Sequence, residues 1–203
     1  GLEILKGGSQ EAEAEFFSEI IALYTIALFV IYALIAVAFR SYSLPLLIMT
    51  AMPFGFMGAV FGHLIFNLPM ALFSYFGIGA AAGVVVNDNL VLIDYVRRLE
   101  REGMSPPKAL VTSAVSRFRP IFLTTVTTFV GLIPIMAEQS TSAQFLKPAV
   151  LSLAFGVFFA LFVSLLLVPA MYLVGYDWQQ MRLARKRRRT ASPGADAAAS
   201  MPG

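Results

Sequence analysis

The chain has 203 residues, of which 58% are hydrophobic and only 13% charged, with no cysteine and a mean hydropathy of +0.77. Ordinary soluble domains hold about 45–50% apolar and about 25% charged residues, so a soluble globular enzyme, a disordered chain and a disulfide scaffold are all excluded. The net charge of +3 averages a strong asymmetry along the chain and does not point to nucleic acid.

The apolar excess comes in five blocks. Residues 20–39 carry no charge, 44–66 hold only His63, 70–96 hold only Asp88 and Asp94, and 120–137 and 148–175 are charge-free. A run of about 18 or more mostly apolar residues can cross a bilayer as a helix. The expected fold is therefore all-α, a polytopic membrane bundle of five transmembrane helices over residues 20–176. No side-chain set suggests a metal site, an organic cofactor or enzymatic chemistry.

Residues 1–19 precede the first span. They include SQEAEAEFFS, rich in helix formers and acidic groups, and are expected to extend the span as a helix. The stretch has no apolar signal-peptide core. A tight turn at Arg40 then pairs spans one and two. Span two contains Pro53 and the pair Gly58 and Gly62; proline is tolerable in a membrane helix, and glycines four apart let another helix come close. Span three holds Gly77, Gly79 and Gly83 among alanines, a composition hemmed in by protein rather than lipid. Ser105 followed by two prolines is a helix-start signal, and residues 106–118 are expected to lie as an amphipathic helix on the membrane surface. Span four opens at Pro120 and carries Thr124, Thr125, Thr127 and Thr128. Residues 177–203 form a cytoplasmic tail, first basic and then small, polar and disordered.

Thirteen of the 15 lysines and arginines fall in the turns after spans one, three and five, against Lys6 and Lys147 elsewhere. Basic residues in short loops stay on the cytoplasmic side, which places the N-terminus outside and the C-terminus inside. A segment that begins outside without its own targeting signal implies an upstream portion. The run 185–189 fits a cytoplasmic anchor touching anionic lipid.

The cluster Asn87, Asp88 and Asn89 needs a chemical explanation. Counting back from Arg97 at about 1.5 Å per residue puts Asp88 roughly 13 Å inside the boundary. An ionised carboxylate there costs on the order of 2.5–3.5 kcal/mol even on the mildest scale. It must face protein or water, or take up a proton, which is what a proton-coupled machine requires. At about 100° per residue, Gly79, Gly83 and Asn87 share one stripe, with Asp88 at its edge and Asn89 turned away. That stripe is the expected helix interface. Asp94 is expected to pair with Arg98 at the interface, and His63 to sit in the hydrated outer margin. The span-four hydroxyls either bond the carbonyl a turn back or line a hydrated path.

The succession AFRSYSLPLLIMTAMPFGFMGAVFGH, FGIGAAAGVVVNDNLVLIDYV and SRFRPIFLTTVTTFVGLIPI resembles the resistance–nodulation–division (RND) transporters, in the hydrophobe/amphiphile efflux branch of bacterial inner membranes. The likeness runs from about residue 11 to 176 and corresponds to the last five of twelve transmembrane helices. It implies drug/proton antiport by a homotrimer, with protons as the coupling ion and no other cofactor. It also implies an N-terminal half with a porter domain, a periplasmic adaptor and an outer-membrane channel as partners, besides membrane lipid.

By the same resemblance, Asn87 stands where many members have a relay lysine, and Asp88 where they have asparagine. Arg117 matches an arginine at the cytosolic start of the next helix, and Thr124 a hydroxyl that contacts the relay. The relay expected here is thus Asp88, Asn87, Thr124 and Arg117, with Asp88 or a set of carboxylates replacing the lysine. The first helix is the expected coupler to the porter, changing between coil and helix. The other readings are a non-transporting bundle of the same superfamily, with an assembly or sensing role, and an intramembrane aspartyl protease. The protease needs carboxyls roughly 3 Å apart, whereas Asp88 and Asp94 lie about 9 Å apart along one helix.

Overall fold

The computed structural model describes residues 2–191, with side chains described from 14 to 185. The order is α1 (Leu2–Phe39), α2 (Ser43–Met49), α3 (Met52–Phe66), α4 (Leu72–Arg101), α5 (Pro106–Ala137) and α6 (Thr141–Ala191), with no strand among the described residues. Taken with α2 and α3 as one span, five segments are long and apolar enough to cross a membrane. The all-helical reading holds. The expected disorder begins at residue 190; α6 carries the basic run and residues 190–191 as helix as far as Ala191, and residues 192–203 lie outside the described residues.

Three turns close with one device. Arg40, Asn67 and Gly103 take the left-handed backbone at φ 50°, 51° and 92°. In each case the next amide reaches back five residues: Ser41 to Ala36, Leu68 to His63 and Met104 to Leu99. This is the Schellman closure, in which a left-handed residue lets orphan carbonyls find donors. Glycine and asparagine adopt it readily, while Arg40 does so at a steric cost.

Span two is broken. Thr50 and Ala51 separate α2 from α3, although both keep right-handed backbone angles. Pro53 has no amide hydrogen for the Met49 carbonyl four residues back, and the Thr50 hydroxyl donates to the Leu47 carbonyl at 2.6 Å. The prolines at 120, 134, 148 and 169 by contrast sit inside unbroken helices. The segment 106–118 is likewise the first part of α5 rather than a separate element: the helix runs on through Pro120 and does without the one bond its missing N–H would make.

Helix α6 is the centre of the bundle, packed on α3, α4 and α5. Close approach is what the glycines allow. A side chain at Gly58 would strike Phe155 and Phe159, and one at Gly62 would strike Phe155. At Gly77 it would strike the Ala149 carbonyl, and at Gly156 the Ala81 methyl. The core beneath includes Ile48, Val85, Leu92, Ile93 and Val168. Helices α1 and α5 are peripheral, with large apolar side chains such as Phe29, Val37, Val115 and Leu123 left exposed.

Candidate functional site

The site is built on α4. Its buried face is Ser74, Gly77, Ala81, Val85, Asn89, Leu92, Val96 and Leu99, a stripe spaced by threes and fours that fits one side of a helix. This corrects the expected interface. Gly83 has nothing within 4 Å of where a side chain would begin, and Gly79 faces Tyr24 of α1 rather than the core. The Tyr24 hydroxyl donates to the Tyr75 carbonyl at 2.7 Å, which seats the ring over Gly79. The packing glycine of α4 is Gly77, two residues earlier, because it is the one opposite the small residues of α6.

The polar triad is reordered accordingly. Asn87 is exposed, Asp88 half-buried and Asn89 fully buried, the reverse of the expected placement of the two asparagines. Asn89 Nδ2 donates to the Ile48 carbonyl at 3.3 Å, and its Oδ1 is buried without a partner. Asp88 has no ion-pair partner among the described residues, where the one salt bridge is Arg98–Glu102 at 3.3 Å. That pair also displaces the expected Asp94–Arg98 contact: both arrangements are four residues long, and the guanidinium turns toward Glu102.

The residues expected on α5 lie apart from the carboxyl. Thr124 is exposed, and its hydroxyl donates to the Pro120 carbonyl at 2.9 Å. Thr127 does the same to Leu123 at 2.8 Å. These are carbonyl bonds within the helix, not links to α4. Arg117 is half-buried with its guanidinium 5.3 Å from the centre of the Tyr95 ring, a cation–π contact that joins α5 to α4 two turns beyond Asp88.

Two polar contacts went unread in the sequence. His63 is only 3% exposed, its Nδ1 set 3.1 Å from the Leu68 carbonyl and its Nε2 3.0 Å from the Ser152 hydroxyl. A carbonyl only accepts, so Nδ1 carries the hydrogen. Protein, not interfacial water, therefore surrounds this ring. At the opposite end, the Tyr172 hydroxyl donates to Glu100 at 2.7 Å, tying α6 to α4. Neither pair shows in sequence, since the partners lie 89 and 72 positions apart.

The sum is a half-buried carboxyl flanked by an exposed amide on the side of α4 that this chain leaves uncovered. No group of three or more potential metal ligands occurs among the described residues. Such a carboxyl can hold or release a proton and can meet donors brought by further helices.

Comparison with known proteins bears on what those helices belong to. A model of the AcrB/AcrD/AcrF family matches residues 1–175. The multidrug resistance protein MdtC of Proteus mirabilis (strain HI4320) is 28% identical over 188 residues, 88% of this chain. Its counterpart in Shigella flexneri is 26% identical over 190 residues, 91% of this chain. The chain spans 18% of the length of both relatives. A crystal structure of a heavy metal efflux pump superposes with a TM-score of 0.73 at 22% identity, covering 81% of this chain and 16% of that one. A second crystal form gives 0.69. The superposition speaks for the fold.

Proposed function

The chain belongs to the AcrB/AcrD/AcrF family of RND efflux transporters, and on that premise we propose that it forms part of the membrane region of a proton-driven pump for amphiphilic, drug-like compounds. The multidrug names of the bacterial relatives support an organic cargo. In this reading the pump is a secondary active antiporter of the bacterial inner membrane. It works as a homotrimer with the transporter's other helices and porter domain, a periplasmic adaptor and an outer-membrane channel. The N-terminus faces outward, as the distribution of basic residues favours.

The observation that carries the proposal is Asp88: a half-buried carboxyl in the middle of an apolar helix, with no basic partner among the described residues. A charge held there is costly unless it is paired, hydrated or neutralised. Protonation therefore changes the energy of the helix position itself, and alternate protonation and release couples the proton gradient to movement of α4. Asn87, exposed beside it, supplies an amide to the same uncovered face. Arg117 holds the cytosolic end of α5 against Tyr95, and Thr124 lies too committed to its own helix to accept a proton directly in this state. Helix α1, continuous from Leu2 to Phe39, offers the mechanical link to the porter.

The test is Asp88→Asn in the whole transporter, reconstituted in vesicles with an imposed pH gradient. Efflux should fall by about tenfold or more, equivalent to about 1.4 kcal/mol in the coupled step, with protein level unchanged. Undiminished gradient-driven efflux would remove Asp88 from the relay.

A further inference from the structure

The triad makes its hydrogen bond to another helix, among the described residues, through Asn89, and the place it reaches is the break in span two. Ile48 is the penultimate residue of α2 and is fully buried, as is Asn89. The carbonyl that accepts from Asn89 lies five residues before Pro53, next to the Met49 carbonyl that the proline leaves without its helical donor. The remaining bonds around it are local: the Thr50 amide is shared between Leu46 and Leu47 at 3.1 and 3.3 Å, and the Thr50 hydroxyl is turned back on Leu47.

Around this bond, Ile48 and Ala51 belong to one apolar cluster with Val85, Val86, Leu92 and Ile93. Apolar contact is non-directional and lets one helix slide along another. A hydrogen bond to a single carbonyl does not. The second amide atom reinforces the point, because Asn89 Oδ1 is buried without a partner. A leucine would suit the surrounding cluster better. A half-satisfied amide kept there marks a directional contact rather than packing.

We infer that Asn89 is a positioning residue: it ties the turn of α4 that carries Asp88 to the interruption of span two, so that a displacement of α4 is passed in register to α2. The inference rests on the proton-driven reading of Asp88 and adds the route by which its movement leaves α4. The titratable groups His63, Tyr24, Tyr172 and Arg117 on neighbouring helices have partners other than Asp88 and Asn89. His63 of α3 is bonded to Leu68 and Ser152, Tyr24 of α1 to Tyr75, and Tyr172 of α6 to Glu100, while Arg117 of α5 stands over Tyr95. Helix α2 has none.

The experiment uses the whole transporter in vesicles, with spin labels at Leu46→Cys on α2 and Leu166→Cys on α6, both exposed positions, so that the distance reports the displacement of α2 against the central helix. The distance between them is read at acidic and neutral pH, and the Asp88 carboxyl is followed by infrared absorption. In the parent the distance shifts with pH. In Asn89→Leu the carboxyl still titrates, the shift disappears and gradient-driven efflux drops by about tenfold. Asn89→Ser, which keeps a donor, recovers part of both, which a purely structural loss would not allow. If Asn89→Leu does not accumulate, Asn89→Ala against Asn89→Ser gives the same comparison. A distance that still shifts in the donor-free variant, with Asp88 titrating, overturns this inference alone. An Asp88 that never titrates in the parent overturns the proton-driven reading and takes this inference with it.

Discussion

Helix α4 has two faces built from the same kind of residue, and they meet different surroundings. On one, Gly77 and Ala81 lie against Ala149, Ser152 and Gly156 of α6, and the line continues to Asn89, which is fully buried. On the other, Gly83 is open and Asn87 is exposed. Small residues permit close packing on either side; what decides is whether a second helix presents matching small residues at the same height. Within this chain α6 does so for one face only. The other leaves Asn87 uncovered within this chain, and the half-buried Asp88 sits between the two.

The largest effect that would break this comparison comes from Gly77. In Gly77→Val the new side chain meets the backbone carbonyl of Ala149, which cannot turn aside, so a loss of about 3 kcal/mol or outright loss of folded protein follows. Thermal unfolding and yield in detergent check this. Gly83→Ala, in open space within this chain, should stay within about 0.5 kcal/mol; equal damage at both positions would mean that the open face is packed just as tightly in the whole transporter.

A middle-sized effect tests the second contact of the packed face. His63→Ala strands the Ser152 hydroxyl, which is fully buried, and an unpaired buried group costs about 1–3 kcal/mol. The apparent melting temperature should fall, and a variant that also changes Ser152 to Ala should lose little more. Additive losses in the double variant would show that the two side chains do not act as a pair.

The smallest effect lies outside both faces. Arg98 and Glu102 are 72% and 56% exposed, so Arg98→Ala should cost less than about 1 kcal/mol and the difference should vanish at high salt. A larger, salt-resistant loss would place Arg98 in a buried network instead.

How much of this was legible in sequence follows from the range of each signal. Charge-free runs report on the membrane, so the five spans could be read directly. The start of α5 was legible at Ser105 and Pro106 because capping is local. The packed face of α4 was not. Gly77 with Ala81, and Gly79 with Gly83, have the same four-residue spacing, and the choice between them depends on Gly156, far along the chain. The burial of Asn89 follows from that choice. The break at Thr50 was half legible: Pro53 announces a lost hydrogen bond, but four other prolines lose one without breaking their helices. Beside Pro53 the Thr50 hydroxyl takes the Leu47 carbonyl and Asn89 of α4 takes the Ile48 carbonyl, and the second of these depends on a residue 41 positions away.

Helix α6 has one more consequence. Its 51 residues run unbroken through Pro148 and Pro169, about 76 Å at 1.5 Å per residue against a hydrocarbon layer of about 30 Å. A rod of that length, gripped by α3 and α4 in its first half at Ala149, Ser152, Phe155 and Gly156, behaves as a lever: a small tilt imposed within the bilayer sweeps its arginine-bearing end through a much wider arc in the water beyond.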